Sequence, residues 1–365
     1  MSCIGVLYKS KASNTPNPGD AVMADFQVNY WKLPKKYWGY NRFLDLGVLV
    51  YDAKDLESIL FYVPFKLNED DLSDLGEILV KEELLGTLFN EPFRIENAPH
   101  SPGYHYASTY GEDETKHGFW IYSLTKTNFN VTHLSVGSLI EVSFITKPST
   151  SQDIKSTDDN KDSKVNLYIR FRVNNVSDSC LSYKESVSND FFQSVFSKTE
   201  MMNLHINTIG EIDDDDYKNL ASKYSFVHFY KIHFFFVASS EEEAVTGTTN
   251  YTDSRLLDSP KWKQYVGYNN PQNRKCLAYH WKLKGSLDRG NFFFRTIYSS
   301  ANILKILKYS IVILILGIMS SYCASMLPQS CTSSANYDCG CIELSKDSIP
   351  SKQSNNFPEA TKSLK

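Results

Sequence analysis

The chain has 365 residues, enough for one large domain or two ordinary ones with proper cores. Apolar residues make up 42% and charged residues 22%, which excludes wholesale disorder. The formal net charge of −4 excludes a general electrostatic grip on nucleic acid, and the short cluster Lys32-Leu33-Pro34-Lys35-Lys36 does not change that.

Residues 1–25, rich in Ser, Asn and Pro, read as a flexible arm. Their apolar run, Ile4 to Tyr8, is too short for a secretory signal, and Lys9 and Lys11 follow it instead of preceding it. A strand-rich domain is expected over residues 26–290, as one body or as subdomains 26–146 and 165–290 with loop 147–164 between them. The excess of Tyr and Phe over Trp favours sheet packing. Residues 46–51 and 59–65 are strand-like apolar runs separated by turn chemistry. Asp70 or Asp71 then caps an amphipathic helix with Leu72, Leu75, Ile78 and Leu79 on one face, extended by Leu85 and Leu88.

Residues 119–124 predict a short strand. Ile140, Val142 and Phe144 alternate with polar residues, and Val165, Leu167, Ile169, Phe171 and Val173 alternate with Asn166, Tyr168, Arg170 and Arg172. That period of two predicts strands with one buried and one wet face. The polar residues 147–164 between them predict a long hairpin loop. A helix is expected over 188–196 and a strand over 202–209. The run Asp213 to Asp216 opens a short helix with its carboxylates in water, at the end where the helix dipole favours them. Residues 226–238, apolar on both faces, predict a central strand; 241–253 a polar loop; 276–283 a further strand; and 291–308 a juxtamembrane helix. The fold class is therefore α+β and strand-rich, an antiparallel sheet or sandwich with a few helices, followed by one C-terminal transmembrane helix.

That helix is the clearest signal. Residues 309–327 carry no charge, include eight Ile, Leu or Val, and stop at Pro328. As a helix they rise about 28 Å, close to the ~30 Å hydrocarbon core of a bilayer. Arg289, Arg295, Lys305 and Lys308 precede the span and only Lys346 follows within twenty residues, so positive-inside logic puts the N-terminal domain in the cytoplasm. The tail, residues 328–365, is expected to be disordered and external, with Cys331, Cys339 and Cys341 on an oxidising side. The sequons at Asn130, Asn175 and Asn250 then count as chance matches.

The chain has no P-loop, no G-x-G-x-x-G after a strand, no H-E-x-x-H and no G-x-S-x-G. His100, His105, Asp113 and His117, in a loop region, are the pool for acid–base work. His228 and His233 stand five apart, on opposite faces of a strand, and cannot share one ion. No metal or cofactor is expected. Arg255, Trp262, Tyr265, Tyr279, His280 and Trp281 form a polar-aromatic group suited to a ligand or partner surface. In the span, Gly317, Ser321 and Ser325 make a small-residue face that lets helices approach.

These features predict a non-enzymatic, single-pass protein whose cytosolic domain binds a ligand or partner and self-associates. The expected partners are the lipid bilayer, a second copy of the chain, and a protein or small molecule; no nucleic acid is expected. The competing readings are a membrane-anchored hydrolase or nuclease using the loop His and Asp residues, and a membrane-disrupting effector, for example of a microbial defence system.

Overall fold

The computed structural model describes residues 3–11, 21–35, 39–98, 101–109, 118–144, 165–185, 197–246, 250–267, 275–299 and 303–326. The chain divides into two units, Met1–Ile306 and Leu307–Lys365.

The first unit opens with β1 (Cys3–Ser10), β2 (Met23–Pro34), β3 (Tyr40–Tyr51), β4 (Leu56–Val63) and β5 (Leu72–Asp74). Two short helices follow, α1 (Gly76–Leu79) and α2 (Glu82–Phe89). Then come β6 (Phe93–Asn97), β7 (Tyr104–Thr109), β8 (Gly118–Tyr122), β9 (Phe129–His133), β10 (Ser138–Ser143) and β11 (Leu167–Val173). Next are α3 (Asp178–Leu181), β12 (Ser182–Glu185), β13 (Ser197–Ile206), α4 (Asp214–Ala221), β14 (Ser225–Phe226) and β15 (His228–Ser239). The last elements are β16 (Glu242–Thr246), β17 (Asp253–Leu256), α5 (Pro260–Val266), β18 (Cys276–Leu287), β19 (Gly290–Ser299) and α6 (Ile303–Met326).

The strands form two mixed sheets. The first runs β16-β19-β13-β1-β4-β10-β9, with β12 on β13 and β14 on β1. The second runs β17-β18-β15-β2-β3-β11-β8-β7-β6, with β5 on β11. Both are knitted by N-terminal strands: β1 pairs in parallel with β13, and β2 in parallel with β15. The inner faces share the largest core. Ile4, Val6, Ile59, Phe61, Leu204 and Phe294 come from the first sheet, and Phe26, Val28, Leu46, Ile169, Phe171 and Phe234 from the second. The outer face of the second sheet packs under α2 and α5 through Trp31, Phe43, Leu85, Trp262 and Tyr265. The outer face of the first packs under α4 through Leu7, Leu60, Tyr62 and Leu220. The body is strand-rich, as its composition and alternation predict.

Several expectations are corrected. Part of the expected flexible arm is a strand: Cys3–Ser10 lies in the interior of the first sheet, because its apolar run fills both faces. Cys3 is fully buried in it. The helix capped at Asp70 or Asp71 is broken. Leu72 enters β5 against β11, and the stripe is divided between α1 and α2. Strands β10 and β11 form no hairpin, since β10 pairs with β4 and β9 while β11 pairs with β3, β5 and β8 in the other sheet. Their connection, 147–164, lies outside the described residues, as does the expected helix at 188–196.

The polar face of β11 is not wet. Arg170 is fully buried and Arg172 nearly so. Asp45 takes Arg172 Nε at 2.7 Å, and the Tyr265 hydroxyl takes Arg170 Nε at 2.6 Å, so a second layer closes over charges that alternation alone assigns to solvent. The polar loop 241–253 contains β16, which pairs with β19. Residues 290–299 are a strand, β19, paired along its length with β13, and the C-terminal helix starts only at Ile303. The acidic run does open a helix, with Asp213 as its cap accepting from the backbone N–H groups of Asp215 and Asp216. Asp216, however, is buried. It accepts from the backbone of Ser135, Val136 and Gly137 at 2.6–3.2 Å, so it anchors a turn and is not solvated.

Helix α6 contains one segment, Ile306–Met326, long and apolar enough to cross a membrane, and none of it is buried.

Candidate functional site

Beside α2 and α5, the outer face of the second sheet is left open as a cleft of about 390 Å³. Its position follows from local sequence. Helix α5 is short and sharply bounded: Ser259 caps it, Pro260 opens it, and Gly267 ends it at φ +65°. Trp262 and Tyr265, three apart, therefore share its buried face and pack on Trp31. Helix α2 ends at Asn90, whose left-handed backbone turns Glu91 along the cleft rim.

Strand register makes the floor. Asp25 and Gln27 of β2 lie beside Lys231 and His233 of β15. Lys231, His233 and Phe235 in turn lie beside Lys284, Lys282 and His280 of β18. Asp253 of β17 follows beside His280, and Arg255 lies one rank away. Alternate residues share a face, so four neighbouring strands deliver a row of polar and aromatic side chains to one side.

The rings are ordered. Phe235 and His280 are stacked at 4.1 Å and 3°, and His233 lies 5.2 Å from His280 at 9°. His233 Nδ1 and His280 Nε2 are 3.0 Å apart and share one hydrogen. Whichever ring donates it, the pair keeps one free N–H and one free lone pair for a ligand. Burial, helped by His280 and the charges of Lys282, Lys231 and Lys284, holds His233 down to about 3. Burial and Lys282 hold His280 down to about 4, against the opposing pull of Asp253. Both rings are thus neutral at physiological pH.

The charged groups are placed individually. Asp25 Oδ2 accepts from the Tyr51 hydroxyl at 2.9 Å and from Lys231 at 3.1 Å, while Oδ1 is buried without a hydrogen-bond partner among the described residues. Gln27 accepts through its amide oxygen from Tyr168 and Arg170. The Arg255 guanidinium lies 4.9 Å over the Trp262 ring, and burial lowers its pKa. Burial likewise lowers that of Lys282, with Lys284 and Lys231 adding to it.

The polar-aromatic group expected from the sequence is therefore split. Arg255 and His280 line the cleft, and Trp262 and Tyr265 pack beneath the outer layer. Tyr279 and Trp281 alternate to the inner face and belong to the core between the sheets. Of the acid–base pool, His105 sits on β7, away from the cleft, with Nδ1 2.8 Å from Asn97 and its pKa lowered by burial. His100, Asp113 and His117 lie outside the described residues. His228 faces Asp288 at 2.6 Å, apart from the cleft. Among the described residues, no group of three or more His, Cys, Asp or Glu could hold a metal ion. Gly317, Ser321 and Ser325 lie on α6, where Ser325 donates back to the carbonyl of Tyr322.

Asp25, Gln27, Lys231, Phe235, Asp253 and Lys282 are among the cleft residues that sequence reading missed. The only signal for them is parity: His233 shares a face with Lys231 and Phe235, and His280 with Lys282. Nothing in the sequence says that those two faces meet.

No known protein-family model matches this sequence, and no curated protein shows significant similarity to it. The functional reading therefore rests on the cleft and the C-terminal helix.

Proposed function

We infer that this chain is a membrane-tethered, non-enzymatic binding protein whose strand-rich body takes a small ligand in the cleft on its second sheet. One observation carries this reading. A concave site of about 390 Å³ gathers parallel rings, a neutral histidine pair and charged groups of both signs from four neighbouring strands. Clefts of this size with few, convergent polar groups are the usual form of small-molecule sites. Binding is favoured over acid–base catalysis because both rings are held well below neutrality and neither is poised near working pH.

In this reading α6 crosses the bilayer, with the body on the cytoplasmic side as the flanking cations imply. Self-association through the Gly317–Ser321–Ser325 face then converts occupancy into an output.

Two measurements test it. Removal of residues 303–365 should release the protein from alkaline-washed membranes; a truncated chain that still pellets refutes the tether. A small-molecule extract should raise the melting temperature of the full chain in nanodiscs, and Phe235→Leu should abolish the rise. An extract effect that survives this substitution would place binding outside the cleft.

A further inference from the structure

We propose that the cleft takes a small zwitterion with a planar ring, of the aromatic amino-acid class. Its ammonium sits on Asp25, its ring extends the Phe235–His280 stack, and its carboxylate sits on Lys282. This inference rests on the cleft being a ligand site, as argued above.

Charge balance is the first support. The charged lining residues are Asp25, Glu91 and Asp253 against Lys231, Arg255 and Lys282, which sum to zero. Among these six, Lys231 and Asp25 alone come within ion-pair distance. A lone cation would meet the three basic groups uncompensated, and a polyanion the three acidic ones. A ligand carrying both signs meets each with its opposite.

The second support is a pair of groups lacking partners. Asp25 is only 7% exposed, and its Oδ1 accepts no hydrogen bond among the described residues. A buried carboxylate oxygen left so is costly, and an incoming N–H removes that cost. Lys282 forms no hydrogen bond or ion pair among the described residues, and the cations Lys284 and Lys231 act on it more strongly than the carboxylates of Asp25 and Glu91. A directly bonded anionic group is what Lys282 lacks.

Spacing is the third. Lys282 pairs across to His233, and His233 across to Gln27, two residues from Asp25. Two strand spacings and two residues along the strand separate the Lys282 and Asp25 Cα atoms by about 12 Å. The four-carbon stem of the lysine covers about half of that. What remains is taken up by the head of an α-amino acid, whose ammonium and carboxylate stand on one carbon, while its ring leaves that carbon towards the Phe235–His280 stack. The histidine pair adds one donor and one acceptor beside the ligand ring in either tautomer.

The test is calorimetric titration and melting of the full chain in nanodiscs. The probes are tryptophan, phenylalanine, tryptamine (ammonium only), indole-3-propionate (carboxylate only) and adenosine 5′-monophosphate. Tryptophan or phenylalanine should bind, and both single-charge analogues should be about tenfold weaker or worse. Lys282→Met, at a half-exposed position that should leave the fold intact, should weaken tryptophan about tenfold and leave tryptamine unchanged. Tryptamine or the nucleotide binding as well as tryptophan overturns the ligand class. If the extract stabilises the wild type but not Phe235→Leu, and no zwitterion binds, the class falls while the ligand-site reading stands. If neither extract nor probes act, both fall.

Discussion

Lys32→Met is the sharpest test of how the two sheets are held together. Lys32 is fully buried between them, with Nζ 2.7 Å from Glu200 Oε2 and 2.8 Å from Glu242 Oε2. The other Glu200 oxygen accepts from the Ser182 hydroxyl and lies 3.8 Å from Arg42, while the rings of Tyr40 and Tyr298 flank the ammonium at 4.5 and 4.1 Å. Burial works against the charge of Glu200, but Lys32, Ser182 and Arg42 outweigh it and hold the carboxyl below its usual range. Burial raises Glu242, with Lys32 offsetting only part. Methionine fills the space and leaves two buried carboxylates with Arg42, 3.8 Å from Glu200, as the remaining nearby cation. Breaking a buried pair in this way costs about 3–5 kcal/mol, a large share of a total of about 5–15 kcal/mol. At about 2–4 °C per kcal/mol for a body of this size, melting should fall by about 6–20 °C.

The pH dependence supplies the sign. In the variant both glutamates have folded pKa values above their unfolded ones, so the native state takes up protons first. Stability therefore rises as pH falls towards about 5, and the deficit against wild type shrinks. The assay is thermal melting of the full chain in detergent at pH 8 and 5.5, beside Lys32→Met/Glu200→Gln/Glu242→Gln, which should recover part of the loss. A melting point within about 2 °C of wild type at pH 8, or a deficit that grows on acidification, would refute the reasoning.

Three further outcomes are expected. Asp216→Ala leaves the N–H groups of Ser135, Val136 and Gly137 without their acceptor and should cost about 2–4 kcal/mol in denaturant titration, whereas Asp214→Ala, on the exposed side of α4, should cost less than about 0.5 kcal/mol. His233 and His280, held down to about 3 and about 4, stay neutral in the fold while the unfolded chain takes protons below about 6.5. Their share of stability is constant above pH 7 and declines as pH falls from 6.5 towards 4. The drop in melting temperature between pH 7 and 5 should thus be smaller in His233→Asn/His280→Asn than in wild type, and an equal drop would count against it. Gly317→Ile keeps the span apolar but fills the small-residue face, so membrane retention should survive while crosslinking between copies falls; undiminished crosslinking would remove that face as a contact.

Much of the architecture was legible in the residues. Period-two alternation at 140–144 and 165–173 marked strands β10 and β11, and the doubly apolar run at 226–238 marked an interior one, because side-chain direction in a strand depends only on position along it. Helix α6 was legible because length and lack of charge are properties of one continuous segment. Errors arose where a segment's fate depended on a distant one. Residues 291–299 resemble a helix when read alone, but β13 offers them a strand partner along their whole length. Arg170 and Arg172 read as solvent-facing until α5 and Asp45 cover them.

What the sequence determined by itself is thus local: strand-rich composition, the positions of most strands, the helix start at the run Asp213 to Asp216 and one apolar helix. Which strands become neighbours was decided only in the tertiary structure. Backbone hydrogen bonds between strands are the same for any pair, and the choice falls to the packing of faces far apart in sequence. The cleft belongs wholly to that second level. Asp25, His233 and His280 lie on β2, β15 and β18, separated by about 200 and about 50 residues, and become one site because a parallel and an antiparallel ladder set them in register.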